Sequence, residues 1–244
     1  MGEDVKNKAD YAYGLIKERI LSFEFQPGKA LREMELSEMF DISRTPIRAA
    51  VAQLISEGFI EEKGPKTNIV ADVSIEKFMN IYKVRECLEL LAANGAAYGW
   101  ESRTEIQRLH EIVDIQAEMM SKETVDAVEF LAEDRNFHTG IAVMSRNRLL
   151  AAELSKVYDL FWRYNYYSLY SNHSSMIVQD HMDIINAIEH HNGRLAQEFM
   201  KNHLTSTKDI ILLGVSKGFD PSRLVNVAEG YVMRHKTKDT DKTV

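Results

Sequence analysis

The segment LREMELSEMFDISRTPIRAAVAQLISEGFIEE, residues 31–62, restricts the fold more than any other part of the chain. Leu36, Met39 and Phe40 recur at helical spacing and give a short apolar stripe. Asp41-Ile42-Ser43 then reads as a tight turn that tucks Ile42 inward. Thr45 is read as an N-cap with Pro46 at the first helical position, a pair that sets a helix start. Ile47, Val51, Leu54 and Ile55 form the buried stripe of the next helix, which Gly58 ends. Directly after it, Phe59–Ile60 and Ile69–Val70 flank a Gly-Pro-Lys turn and predict a small hairpin. This order predicts a helix-turn-helix followed by a wing.

In a helix-turn-helix the second helix enters the major groove by its N-terminal end. Arg44, Thr45 and Arg48 stand at that end, and no acidic residue lies between Ile42 and Ser56. Arginine there can clamp phosphate or fork onto guanine O6 and N7. The overall charge of −7 gives no such hint, and residues 1–72 set ten Lys and Arg against thirteen Asp and Glu. Non-specific coating of nucleic acid is therefore excluded, and only the local arrangement points to DNA.

Apart from the hairpin, helical periodicity dominates. Patterns over 9–22, 33–40 and 45–57 precede it, and nearly everything after it to about 213 is helical. Breaks fall near 100–103, 121–124, 145–147, 171–174 and 191–193. The expected fold is mainly α: a winged helix-turn-helix domain over 1–72 and an all-α bundle over 73–215. An extension over 216–244 begins with a possible short helix capped by Asp220 before Pro221 and ends in a tail expected to be disordered. No apolar run reaches the roughly 18 residues of a membrane span. The start MGEDVKNKAD lacks an apolar signal region, and Cys87 is the sole cysteine. A cytoplasmic protein without membrane attachment is the expectation.

Eight histidines occur, and three of them fall on apolar helical faces. His138 lies beside Ile141 and Ala142, one turn after Asp134, which shares its face with Phe130, Leu131, Phe137 and Ile141. His181 aligns with Ile177, Ile184 and Ile188, and His203 with Phe199, Met200 and Ile210. Inward polar groups need partners, because an unpaired buried charge is very unfavourable. Two solutions stay open on the residues alone. Each group can be a hydrogen-bonded core residue, with Asp134–His138 as an ion pair, or all four can share a metal ion. Three imidazoles and a carboxylate suit Zn²⁺, Ni²⁺, Mn²⁺ or Fe²⁺, and softness does not choose among them.

SRTPIRAAVAQLISEGFI resembles the recognition helix of the GntR family of bacterial transcription regulators, and FQPGKALREMELSEMF resembles the segment leading into it. Two departures are visible. Ala49-Ala50 follows Arg48 where the family more often has Glu-Ala, and the wing tip KGPKTN lacks an arginine between glycines. The resemblance implies that Arg44, Thr45 and Arg48 contact operator DNA, Arg32 a phosphate, and Lys63 or Lys66 the wing's share of the duplex. The second half, through VRECLELLAANGAA, DRNFHTGIAVMSRNRLL and DHMDIINAIEHHNGRLAQEFMKNHL, resembles the FCD ligand-binding domain of the FadR subfamily.

From that resemblance follows one divalent metal per chain, zinc first and nickel, manganese or iron after it, held by Asp134, His138, His181 and His203. A small carboxylate effector, such as a sugar acid, is implied beside it. Arg85 is the leading effector contact, because Ile81, Val84, Leu88 and Leu91 turn its helix toward the core; the alternative is a surface pair with Glu89. Arg163 and Tyr167 are further candidates, while Trp162 and Tyr166 could line the same cavity or simply fill core. The whole reads as a homodimeric regulator on near-palindromic double-stranded DNA, with repression relieved by effector. A purely structural metal is one alternative, and a metal-dependent enzyme of small carboxylates is another.

Overall fold

In the computed structural model the chain is described over residues 2–64, 67–122, 127–165 and 174–216. One unit ends at Val73 and a second begins at Ser74. The first contains α1 (Gly2–Leu21), β1 (Ala30–Leu31), α2 (Glu33–Phe40), α3 (Arg44–Ser56), β2 (Ile60–Glu62) and β3 (Asn68–Val70). Helix α1 starts ahead of the apolar pattern that marks it from residue 9, because the polar GEDVKNK contains no breaker after Gly2. Ala12, Ile16 and Ile20 form its fully buried stripe, and it packs on α3.

Between α2 and α3, Asp41 adopts left-handed φ of 54°. The Ile42 N–H donates to Ser37 O (3.2 Å), and Ser37 Oγ donates to Ile42 O (2.6 Å). Helix α3 starts two residues earlier than Thr45-Pro46 suggests, with Ser43 as its N-cap. Proline is accepted inside the first turn because the first helical N–H groups have no intrahelical acceptor anyway. At the other end Gly58 takes φ of 85°, its N–H donating to Ile55 O and that of Phe59 to Leu54 O, both 3.0 Å. These paired bonds and the buried Leu54 and Phe59 make a Schellman stop. Leu36 is buried, but Met39 is half exposed and only Phe40, four residues on, continues the face.

The wing is antiparallel, with Ile60 opposite Val70 and Glu62 opposite Asn68. β1 joins it on the far side of β3, pairing Ala30 with Ile69, so the strand order is β1-β3-β2.

The regular elements of the second unit, over its described residues, are the helices α4 (Ile75–Gly99), α5 (Arg103–Met120), α6 (Ala127–Met144), α7 (Arg148–Asn165), α8 (Ser174–Glu189) and α9 (Gly193–Ser216). α4 is its centre and packs against α6, α7, α8 and α9. Its inward face runs Phe78, Tyr82, Arg85, Glu89, Ala92, Ala93, Ala96 and Ala97. That corrects the reason for expecting Arg85 inside. Val84 and Leu91 are 51% and 56% exposed, and Arg85 is inward because the opposite face is the core face. The extension expected over 216–244 lies outside the described residues from 217 onward, as do Lys66, Tyr166 and Tyr167. Among the described residues no helix is long and apolar enough to cross a membrane.

Candidate metal centre and nucleic-acid interface

Asp134, His138, His181 and His203 converge in the second unit, where each offers one donor atom and all four atoms lie within 4.8 Å of one another. α6 supplies Asp134 and His138 one turn apart, α8 supplies His181, and α9 supplies His203. All four are buried. Burial follows from their neighbours: Phe130, Phe137, Ile141, Ile184, Ile188, Met200 and Leu204 flank them on the same helices and are themselves fully enclosed.

Each imidazole is held by its outer nitrogen. His138 Nδ1 donates to Glu89 Oε2, His181 Nδ1 to Gln116 Oε1 at 2.9 Å, and His203 Nδ1 to Asp180 Oδ2 at 3.4 Å. Such bonds fix the tautomer and leave Nε2 as the lone-pair donor, an arrangement typical of metal-ligating histidine. Asp134 is oriented in the same way. Asn165 Nδ2 donates to its Oδ2 (3.3 Å), while its Oδ1 stands 3.7 Å from Nε2 of both His138 and His181. The His181 ring also stacks on Phe137, with centroids 3.9 Å apart.

The electrostatics separate the three rings. Burial pushes His181 and His203 below the usual imidazole range; for His181 the His203 and His138 rings add to that. Burial opposes the charged form of His138 too, but Glu89 and Asp134 outweigh it and hold that pKa up. Asp134 resists burial in the same sense, its carboxyl kept far below the ordinary range by His138, His181 and Arg85. The donor set fits a divalent ion. Most telling is Nε2 of His181, which is buried and makes no hydrogen bond. A buried polar atom left so is unusual, and a cation among three nitrogens and a carboxylate oxygen satisfies it.

Arg85 borders the cluster. Nε donates to Glu89 Oε1 (2.5 Å), Nη2 donates to Tyr158 Oη (2.5 Å), and Nη2 lies 3.4 Å from His138 Nε2. The expected alternative, a pair with Glu89, is therefore also present, but it is buried, each side chain being 1% exposed. One Glu89 carboxylate thus bridges Arg85 and His138. Arg163 is buried in the last turn of α7, as is Trp162. Sequence reasoning missed Gln116, Tyr158, Asn165 and Asp180 and considered Glu89 only in the alternative of a surface pair with Arg85. Only Asp180, next to His181, and Glu89, one turn from Arg85, carried a local signal.

In the first unit Arg44 and Thr45 open α3 and are exposed, and Arg48 follows one turn later on the same side. Arg48 forks onto Glu33 of α2, with Nε 3.1 and 3.2 Å from the two carboxylate oxygens and Nη2 3.0 Å from Oε2. Arg32, the N-cap of α2, pairs with Glu35 at 2.8 Å, and Lys63 lies 3.9 Å from Glu61.

Comparison with known proteins gives two family matches: bacterial regulatory proteins of the gntR family over residues 8–66, and the FCD domain over residues 80–206. The HTH-type transcriptional repressor RspR of Escherichia coli is 23% identical over 200 residues, 82% of this chain and 86% of that protein. The Uxu operon regulator of Haemophilus influenzae is 26% identical over 242 residues, 90% of this chain and 87% of that protein. Among solved structures, E. coli McbR/YncC shares the fold with a TM-score of 0.68 at 16% identity, covering 84% of this chain and 97% of its own. The families and relatives are transcription regulators rather than enzymes.

Proposed function

We infer, from the premise that this chain belongs to the GntR family of bacterial regulators and carries the FCD domain, that its DNA binding is a repressor's, controlled by a small carboxylate. The named repressor among its relatives supports the sign of regulation. The carrying observation is the buried tetrad Asp134, His138, His181 and His203, with each outer nitrogen already engaged. Zinc is the proposed occupant, with nickel, manganese or iron as the other donor-compatible ions. Bound there, it would supply a concentrated positive charge that attracts a carboxylate. Arg85 provides a second cation beside the cluster, its guanidinium held by Glu89 and Tyr158. Arg163 and Tyr167 remain proposed effector contacts.

On the DNA side, Arg44, Thr45 and Arg48 are assigned to operator contact, Arg32 to phosphate and Lys66 to the wing contact. A homodimer would match a near-palindromic site. Supporting it is the row Val84, Leu91 and Tyr98 on α4, seven residues apart and 51%, 56% and 68% exposed. The protein would act in the cytoplasm, where its operator is. Effector and operator affinities must then be coupled reciprocally. A structural metal without effector is the second reading, favoured by the fact that four protein donors can fill a tetrahedral ion.

A panel of sugar acids, hydroxy acids and dicarboxylates, titrated against zinc-loaded protein on DNA from upstream of its own gene, tests this. Release by one acid in the wild type but not in Arg85→Lys supports sensing. Uniform insensitivity, with full zinc occupancy, supports the structural reading.

A further inference from the structure

Of the two cations on the recognition helix, Arg48 alone is held by a carboxylate among the described residues; Arg44 has no ion pair there. The carboxylate is fixed more firmly than the arginine. Glu33 occupies the first turn of α2, where the helix dipole favours an anion, and its side chain is 29% exposed against 70% for Arg48. α2 is in turn tied to the turn that leads into α3 by the Ser37–Ile42 bonds, and it packs on α3 with Leu36 buried. Glu33 takes the Nε and Nη2 side of the guanidinium. The terminal edge, Nη1 with the other N–H of Nη2, is left for a second planar acceptor pair, and guanine O6 and N7 are such a pair. The Arg32–Glu35 pair differs: it is a local i,i+3 contact of two largely exposed side chains.

We propose that Glu33 is a positioning residue for base readout: it grips Arg48 by its inner edge so that the terminal edge addresses a guanine, while the unpaired Arg44 serves phosphate. This rests on the assignment of α3 as the recognition helix. Held in a plane, the guanidinium loses less freedom on binding, and bidentate recognition depends on that plane. Glu33 also opposes any phosphate that approaches without Arg48 covering the carboxylate. Its presence therefore discriminates against wrong registers as well as favouring the right one.

The test uses the full chain and a duplex enriched from a randomised pool by the wild-type protein, with a scrambled duplex of equal length as reference. Binding to both is measured across salt concentration for the wild type, Glu33→Gln, Glu33→Asp, Arg48→Ala, Arg44→Ala and Glu33→Gln/Arg48→Ala. Glu33→Gln is expected to lower the ratio of selected to scrambled affinity about tenfold while scrambled binding holds or tightens. Glu33→Asp keeps the charge but shortens the reach, and is expected to lose the ratio too. Arg48→Ala should lose it to a similar degree, and the double variant no further. Arg44→Ala should weaken both duplexes alike and reduce the salt slope by about one. If Glu33→Gln tightens both duplexes equally, or if Glu33→Asp retains the wild-type ratio, Glu33 is only a counter-charge and the proposal falls. If the wild type enriches no sequence, the recognition-helix assignment falls with it.

Discussion

Stripping the metal and returning it should move the melting temperature of the second unit by an amount that the ligand set allows to be worked out. For a unit spanning Ser74–Phe219, an unfolding entropy of about 2 cal/mol/K per residue gives roughly 0.3 kcal/mol per kelvin. A ligand that binds only the native state at 100 times its Kd contributes about 2.7 kcal/mol, and at 1,000 times about 4.1. Zinc added to chelator-treated protein should therefore raise Tm by roughly 9 °C and then roughly 14 °C. His181→Ala is the informative variant, because its Nε2 is the donor with no other partner. Losing one of four donors should reduce the increment to a few degrees at the same zinc concentration. Scanning calorimetry on chelated and reloaded samples, with elemental analysis of each, measures both quantities. An equal increment in His181→Ala and wild type, or a well-folded protein that takes up no metal, would refute the reasoning.

Three other outcomes are expected. His181 and His203 are pushed down by burial and enter binding neutral, whereas His138 is held up by Glu89 and Asp134 and must shed its proton. Zinc uptake should thus displace the His138 proton and weaken as pH falls into the range where that imidazole is charged, which calorimetry in two buffers of different ionisation enthalpy can follow; uptake whose affinity and proton release do not change with pH would contradict the assignment. Glu89→Gln leaves the buried Arg85 guanidinium without its counter-charge, so urea unfolding should show a loss of about 3–5 kcal/mol, and a loss below about 1 kcal/mol would mean that the pair is dispensable. Leu91→Glu puts a charge in the exposed row on α4 and should convert a dimer to a monomer in light scattering, while a variant that stays dimeric moves the interface elsewhere.

The first unit was legible because its signals are local. Stripe, turn, proline and terminating glycine lie within a few residues of the structure they specify; the slips were an N-cap placed on Thr45 instead of Ser43, a late start for α1, and Met39 counted in a stripe that leaves it half exposed. β1 escaped because two residues carry no period, and their pairing with Ile69 and Asn68 is remote in sequence. On α4 the apolar residues fall on two faces, only one of which is buried. The face around Arg85 and Glu89 is buried while Val84, Leu91 and Tyr98 are exposed, so reading apolar as inward reached the right orientation of Arg85 by the wrong residues. That Asp134 and three histidines point inward could be anticipated from apolar neighbours on each helix, while their meeting at one site was implied by the family resemblance. Gln116 on α5 and Asn165 on α7 could not, since no spacing links them to the groups that they orient.

That difference bears on what the buried cluster is for. A core selected for stability alone does better with apolar side chains than with buried charges, which at best offset their own desolvation. Here Arg85, Glu89, Asp134 and three histidines occupy the interior of a small helical unit. Outer partners on α4, α5, α7 and α8 turn each ligand without consuming its inner lone pair. A self-satisfied polar network would have closed those inner positions with hydrogen bonds, as Glu89 does between Arg85 and His138. Instead Nε2 of His181 is left without one, facing Asp134 Oδ1 across 3.7 Å. Ligands oriented from outside around an inner donor that has no hydrogen bond are arranged for an occupant, and a cation that enters offsets the desolvation they incur.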